Sequence, residues 1–333
     1  MVEEVARGIY RIGVVLPNNP LKELNSYYIR GEGSGLLIDT GFRCPECQEA
    51  LEAGLAELGA DRAHMDVLAT HVHSDHSGMA DLFVGKDRCI YMSGIDLAHE
   101  RQVLNGEIYG QLRERYIKEG FAPGEVDYIQ THNPARMMAL PEVTDAFQGV
   151  EDGQVLTVGE YRLQAILVPG HTPGNLMLWA EEQGIMFTGD HVLFDITPNI
   201  TSWTGMRDAL GSYLENLERV REYPVRLALP GHRHTGDYRA RVEAIQRHHA
   251  ARLADALRIV EAAPGLTAYE IAGRMSWNIR ARSWDEFPLV QKWFAVGECI
   301  SHLDHLRRRH LVRSEFTAEK WRYWPGEAQD AKA

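Results

Sequence analysis

Four times in this chain an apolar, strand-like run stops in metal-type side chains. The runs are DVLATHVHSDH (66–76), YRLQAILVPGH (161–171), GIMFTGDH (184–191) and VRLALPGH (225–232). The last three pass through Gly or Pro-Gly before a His or Asp is reached. Strands are rigid anchors, and the loops at their ends can be aimed at one place. Four such ends imply one shared site at one edge of a sheet or sandwich. The chain is thereby expected to be an α/β protein whose chemistry lies where strands finish.

The densest of these ends is THVHSDHSG (70–78), with His71, His73, Asp75 and His76 within six residues. His71 and His73 stand two apart, so an extended backbone projects them to the same side. A turn into a helix is expected near Ser77–Gly78, which lets the four side chains divide toward two neighbouring points. Imidazole and carboxylate together suit Zn²⁺, Fe or Mn²⁺. A merely polar loop accounts for one or two histidines. It does not account for four ligand-type side chains in six residues followed by further candidates at three more strand ends.

Bulk properties narrow the class. The 333 residues are 44% hydrophobic and 25% charged, which is ordinary for a globular chain with a real core. No apolar run approaches the ~20 residues that cross a bilayer. The segment MVEEVARGIY lacks the apolar stretch of a secretory signal, so a cytoplasmic location and no membrane partner are expected. Cys44, Cys47, Cys89 and Cys299 are too few and scattered for a disulfide framework. The CPEC pair at 44–47 reads as surface or first-turn residues of a helix rather than a redox pair.

The set HxHxDH, here His71-Val72-His73-Ser74-Asp75-His76, resembles the signature of the metallo-β-lactamase superfamily. PGHTPGN with His171, FTGDH with Asp190 and LPGH with His232 follow in the family's order, and IDTG (38–41) resembles its early strand with a structural Asp39. The resemblance covers roughly residues 5–235. It implies an αββα sandwich and two divalent metal ions, zinc foremost, with iron or manganese as other candidates. His71, His73 and His171 would bind the first ion. Asp75, His76 and His232 would bind the second, and Asp190 would bridge them. The implied activity is a dinuclear metal-dependent hydrolase in which a metal-bound hydroxide attacks a small-molecule thioester, lactone or related ester, with Asp75, His76 and Asp190 assigned to the catalytic step. Class B1 β-lactamases place Arg where His76 stands, and flavodiiron proteins place an acid at the position of His73. The pattern is closer to glyoxalase II, lactonases, persulfide dioxygenases and the ribonuclease branches. An endoribonuclease or phosphodiesterase, or a mononuclear iron oxygenase, is therefore the alternative. His191, His132, His234 and Tyr213 are weaker candidates, and none is assigned as a general acid.

The style of the sequence changes near Asp237. An amphipathic helix (241–263), a capped helix opening at Thr267 with Glu270 three residues on, a helix over 296–312 and an alternating segment over 312–324 suggest a winged-helix module. This resembles the β-lactamase-like endoribonuclease branch. The expected organisation is a catalytic domain over 1–236 with a helical insertion at about 96–135, a winged-helix-like domain over 237–325 and a disordered tail over 326–333. Residues 236–333 carry a net +3 and residues 1–235 a net −15. Net repulsion thus disfavours nucleic acid as the partner despite Arg307, Arg308 and Arg309, which read as a solvated helix end. A small-molecule substrate and a second copy of the chain are the expected partners.

Overall fold

The computed structural model describes residues 1–277 and 281–327. The tail expected over 326–333 lies outside the described residues from position 328 onward.

Among the described residues the strands form two mixed sheets and one hairpin. The first sheet runs, in spatial order, β1 (Val2–Ala6), β2 (Ile9–Val15), β3 (Glu23–Arg30), β4 (Gly35–Ile38), β5 (Met65–Leu68), β6 (Ile90–Ser93) and β7 (Phe147–Val150). Its pairings are antiparallel from β1 to β4 and parallel from β4 to β7. The second holds β8 (Val155–Val158), β9 (Tyr161–Leu167), β10 (Leu176–Ala180), β11 (Ile185–Gly189) and β12 (Leu227–Pro230), with only the β11–β12 pair parallel. The hairpin joins β13 (Val312–Thr317) to β14 (Lys320–Pro325).

The two-residue period of a strand sorts the core. In β4 and β5, Leu36, Ile38 and Leu68 face inward and meet Leu163, Leu178 and Phe187 of the second sheet. Their neighbours Leu37 and Val67 face the other way, onto Leu51 and Leu55 of the helix Pro45–Glu57. Each such apolar side chain contributes about 1.5–3 kcal/mol on full burial. β10 and β11 are buried at every position, as strands covered on both faces must be.

The chain forms two compact units. The first holds residues 1–105, 134–198 and 216–242, and the second 106–133, 199–215 and 243 onward. The segment 96–135 resolves into the helices Gly94–Leu104, Glu107–Lys118 and Pro123–His132, of which only the first groups with the sheets. In the second unit the helix Ala268–Ala272 is closed by the expected capping box: Thr267 Oγ1 accepts from Glu270 N at 3.3 Å and a Glu270 carboxylate oxygen accepts from Thr267 N at 2.8 Å. The helix expected over 296–312 spans Leu289–Arg308 instead. Pro288 occupies its N-cap, and His310, at φ +59°, turns the chain into β13.

Among the described residues no helix is long and apolar enough to cross a membrane. Cys44 and Cys47 are free thiols, and Cys47 is not at the surface. It is buried in the first turn of Pro45–Glu57 with its thiol on the Val15 carbonyl at 3.0 Å, and burial raises its pKa.

Candidate metal centre

The site begins where β4 ends. Asp39 stands at φ +62°, a left-handed conformation that a short polar side chain tolerates better than most. That turn points its carboxylate across to the next strand end. Its oxygens accept from Thr70 N at 2.8 Å and Thr70 Oγ1 at 2.9 Å, and Nδ1 of His76 lies 2.7 Å away.

Beyond β5 the chain does not wait until Ser77 to become helical. A single helical turn covers Ser74–Ser77, because the His73 carbonyl already accepts from the His76 and Ser77 amides at 2.9 and 3.0 Å. Asp75 and His76 therefore sit on the turn itself, and His71 and His73 lie on the chain leading into it. The Pro230–His232 loop is held by β3. Asn25 Nδ2 and Tyr27 Oη donate to the Pro230 carbonyl at 3.0 and 2.8 Å, and Asn25 N donates to the Gly231 carbonyl at 2.7 Å.

These restraints bring all seven residues to one place. Ligand-type atoms fall into three overlapping groups, each spanning no more than 4.8 Å: His71, His73 and His171; His71, His76 and Asp190; and Asp75, His76 and His232. Nε2 of His71 is 3.0 Å from Nδ1 of His73, and Nε2 of His76 is 3.2 Å from Nε2 of His232. Asp190 stands between the groups, with its Oδ2 3.7 Å from His171 Nε2 and 3.6 Å from His232 Nε2. Nε2 of His232 is 3.4 Å from Asp75 Oδ2.

The donor set fits divalent metal ions. Ligands about 2 Å from a tetrahedral zinc lie roughly 3.3 Å from one another, close to the spacings found here. Three of the imidazoles have their far nitrogen engaged, which orients the near one: Nδ1 of His71 by Thr70 Oγ1 at 3.0 Å, Nδ1 of His76 by Asp39 and Nδ1 of His232 by the Glu23 carbonyl at 2.8 Å. Oδ1 of Asp190 is buried without a hydrogen bond, a costly state for a carboxylate oxygen unless a cation takes it up. Gly231 leaves the room required, since a Cβ there would lie 2.6 Å from that oxygen and 2.8 Å from His76 Cε1.

Electrostatics divides the imidazoles. Burial, reinforced by neighbouring imidazoles, holds His71 well below its usual pKa and His73 down to about 3, so both are neutral at pH 7. Burial also opposes charge on His76, but the carboxylates of Asp39, Asp190 and Asp75 outweigh it and raise that pKa well above the ordinary value. His232 is raised in the same way, chiefly by Asp190 against burial. Burial opposes ionisation of Asp75, yet His76 and His232 draw it down to about 2, and the same two imidazoles lower Asp190.

Asp96 was not legible as a site residue. It is fully buried, and burial raises its carboxyl to about 6 despite three donors. Oδ2 accepts from Val72 N at 3.0 Å and Thr172 Oγ1 at 2.6 Å, and Oδ1 accepts from Gly174 N at 2.6 Å. One carboxylate thus ties the His71–His73 segment to the loop of His171. Gly174 permits the approach, since a Cβ there would lie 2.0 Å from Ser93 Oγ. The only sequence signal is Ser93-x-x-Asp96 opening a helix, a capping pattern that is ordinarily satisfied locally.

The weaker candidates differ in their surroundings. His191 is buried, and burial followed by His171 lowers it to about 3. His132 is exposed and stacks on Tyr128, His234 is exposed with its amide on Asp195 at 3.3 Å, and Tyr213 is buried in the second unit against His249.

The sequence pattern of the metallo-beta-lactamase superfamily matches residues 23–232, the span that contains every one of the seven ligand-type residues. The chain belongs to that superfamily. Superfamily relatives include an atrochrysone carboxyl ACP thioesterase of Emericella nidulans, 27% identical over 231 residues, or 69% of this chain and 57% of that protein. The chain thus spans little more than half the length of this fungal relative. An acyl-coenzyme A thioesterase of Homo sapiens is 27% identical over 220 residues, 63% of this chain and 73% of that one. A solved metallo-beta-lactamase family protein from Thermus thermophilus superposes with a TM-score of 0.76 at 27% identity, covering 96% of this chain and 99% of its own.

Proposed function

We propose that the protein hydrolyses thioesters at a dinuclear metal centre, with zinc the native metal. Within that reading His71, His73 and His171 hold one ion, Asp75, His76 and His232 hold the other, and Asp190 is shared between them. The observation that carries it is the place of Asp190 Oδ2, nearly equidistant from one imidazole of each group. The choice of thioester among esters is supported by the thioesterases among the relatives.

Two divalent ions held by these residues would supply Lewis acidity and lower the pKa of water toward neutrality. The chain supplies the rest. Asp75 and Asp190 stay ionised at neutral pH and offset the charge of the cations. Asp39 fixes the ring of His76, Thr70 that of His71, and the Glu23 carbonyl that of His232, so the near nitrogens are preorganised before any ligand arrives. We further propose that the helices of the second unit and the β13–β14 hairpin form a winged-helix module.

The test is metal analysis followed by a substrate panel. Purified protein is expected to carry two zinc ions per chain and to cleave acyl-coenzyme A or N-acetylcysteamine thioesters faster than matched oxygen esters and lactones. A single iron, or no thioester turnover by metal-replete protein, overturns the reading.

A further inference from the structure

The second unit contains a concave pocket of about 950 Å³, formed by the helix Glu107–Lys118, the 203–207 segment, the end of the helix Leu289–Arg308 and the β13–β14 hairpin. A volume of that order accommodates a small-molecule or cofactor ligand. In a chain of net charge −12, this lining is cationic: Arg115, Lys118, Arg207, Arg307, Arg308 and Arg313 all face it.

The acidic side chains of the lining do not cancel that charge. Asp304 is shared by two guanidinium groups, Arg115 at 2.7 Å and Arg307 at 3.3 Å. Glu119 is buried beneath the hairpin, where Tyr323 donates to it at 3.0 Å and burial raises its carboxyl to about 7 despite Arg115. Glu114 pairs with Lys118 on the exposed helix face. Arg308 shares Asp208 with His305, at 3.6 and 3.1 Å. Arg313 pairs with Glu315, and among the described residues Arg207 is left without an ion pair. Two further polar atoms of the lining, Nε of Arg115 and Oγ of Ser314, are buried without a hydrogen-bond partner. Trp203 and Trp321 line the same space. Guanidinium groups match phosphate oxygens in geometry, and indoles offer faces to a flat base.

We propose that this pocket binds a nucleoside carrying at least two phosphate charges, either free or as the nucleotide end of a coenzyme A thioester. Arginines at the rim take the phosphates and the tryptophans take the base. A lining that carries surplus charge in a concavity of this size suits one nucleotide. A nucleic-acid strand needs a basic track across the surface, which an acidic chain does not favour. The proposal does not rest on the thioester reading, because it concerns residues outside the metal centre and is tested by binding alone.

The test is calorimetric titration of the full chain with adenosine 3′,5′-bisphosphate and with coenzyme A, alongside inorganic phosphate and a short single-stranded RNA. Binding of the bisphosphate with a Kd of about 10–100 μM is expected. It should weaken at least about tenfold in Arg207→Glu/Arg308→Glu and fall steeply with salt. Coenzyme A binding about tenfold tighter than the bisphosphate identifies the thioester carrier as the ligand, and equal affinities identify the free nucleotide. Should the double variant melt early, Arg207→Ala carries the same comparison. The proposal is overturned by no binding of either probe at about 1 mM, by unchanged affinity in a folded variant, by inorganic phosphate binding as tightly, or by RNA binding more tightly than the bisphosphate.

Discussion

Replacing Asp96 by Asn tests whether one buried carboxylate holds two ligand loops together. Asp96 accepts three hydrogen bonds on two oxygens, from Val72 N, Thr172 Oγ1 and Gly174 N. An asparagine has one acceptor oxygen. If it keeps the Val72 and Thr172 bonds, its amino group faces the Gly174 N–H across what is now a 2.6 Å contact. A charge-assisted bond contributes about 1.5–3 kcal/mol, and a donor opposed to a donor adds to the loss. Removing a charge that burial disfavours returns part of it, so Asp96→Asn should destabilise by about 2 kcal/mol and lower Tm by roughly 4–8 °C. The larger effect falls on the metals, since the His71–His73 and His171 loops lose their common tie. Chelator competition should show affinity about 10–100-fold weaker. Because burial raises the folded-state Asp96 carboxyl to about 6, above its unfolded value, the metal-free wild type gains stability as pH falls through about 6 while the variant does not, so the gap in Tm should widen below that pH. Metal affinity within about twofold of wild type, with an unchanged melt at pH 7.5, would show that Asp96 is only a filler of the core.

Asp190→Ala should leave the fold intact and reduce bound metal from two ions toward one, read by elemental analysis; full metal content with a full rate removes Asp190 from the shared position. Gly231→Ala should disturb the centre without replacing any of the seven residues, because its Cβ would meet Asp190 Oδ1 at 2.6 Å and His76 Cε1 at 2.8 Å; wild-type metal content in that variant contradicts the tight packing described. Glu100 is buried, and burial followed by Asp96 raises its carboxyl to about 7. A folded pKa above the unfolded one stabilises fully below about pH 4.5 and loses that stability as pH rises through about 7. Glu100→Gln should therefore gain about 1–2 kcal/mol over wild type at pH 8 and little at pH 5, measured by denaturant titration; a gain independent of pH rules out the titration of Glu100 as its source.

The sheet edge was readable because strands announce themselves by period and by what stops them. ILVPGH, MFTGDH and LALPGH carry both signals within a few residues, and the capping box at Thr267–Glu270 is equally local. Helix boundaries were less legible. The turn at Ser74 and the start of the helix at Leu289 depend on which carbonyl accepts first and on a proline at the N-cap, and apolar spacing does not encode either. Cys47 lies in the expected first turn but is buried and not at the surface, because the side of the helix Pro45–Glu57 that meets β2 is fixed by packing.

The chain's own order of residues determined the ligand types, the strands that present them and their grouping into a short cluster followed by three separate ends. Folding alone decided that Asp190 comes between His171 and His232, that Asp39 holds the ring of His76, and that Asp96 reaches both Val72 and Thr172, the latter 76 positions further along the chain. The reason is physical. A side chain's type and local spacing are written in its neighbours, whereas a hydrogen bond or a shared cation joins atoms whose proximity exists only after both sheets have packed. For the same reason the arginines and tryptophans of the second unit, dispersed from Arg115 to Trp321, became a pocket only in three dimensions.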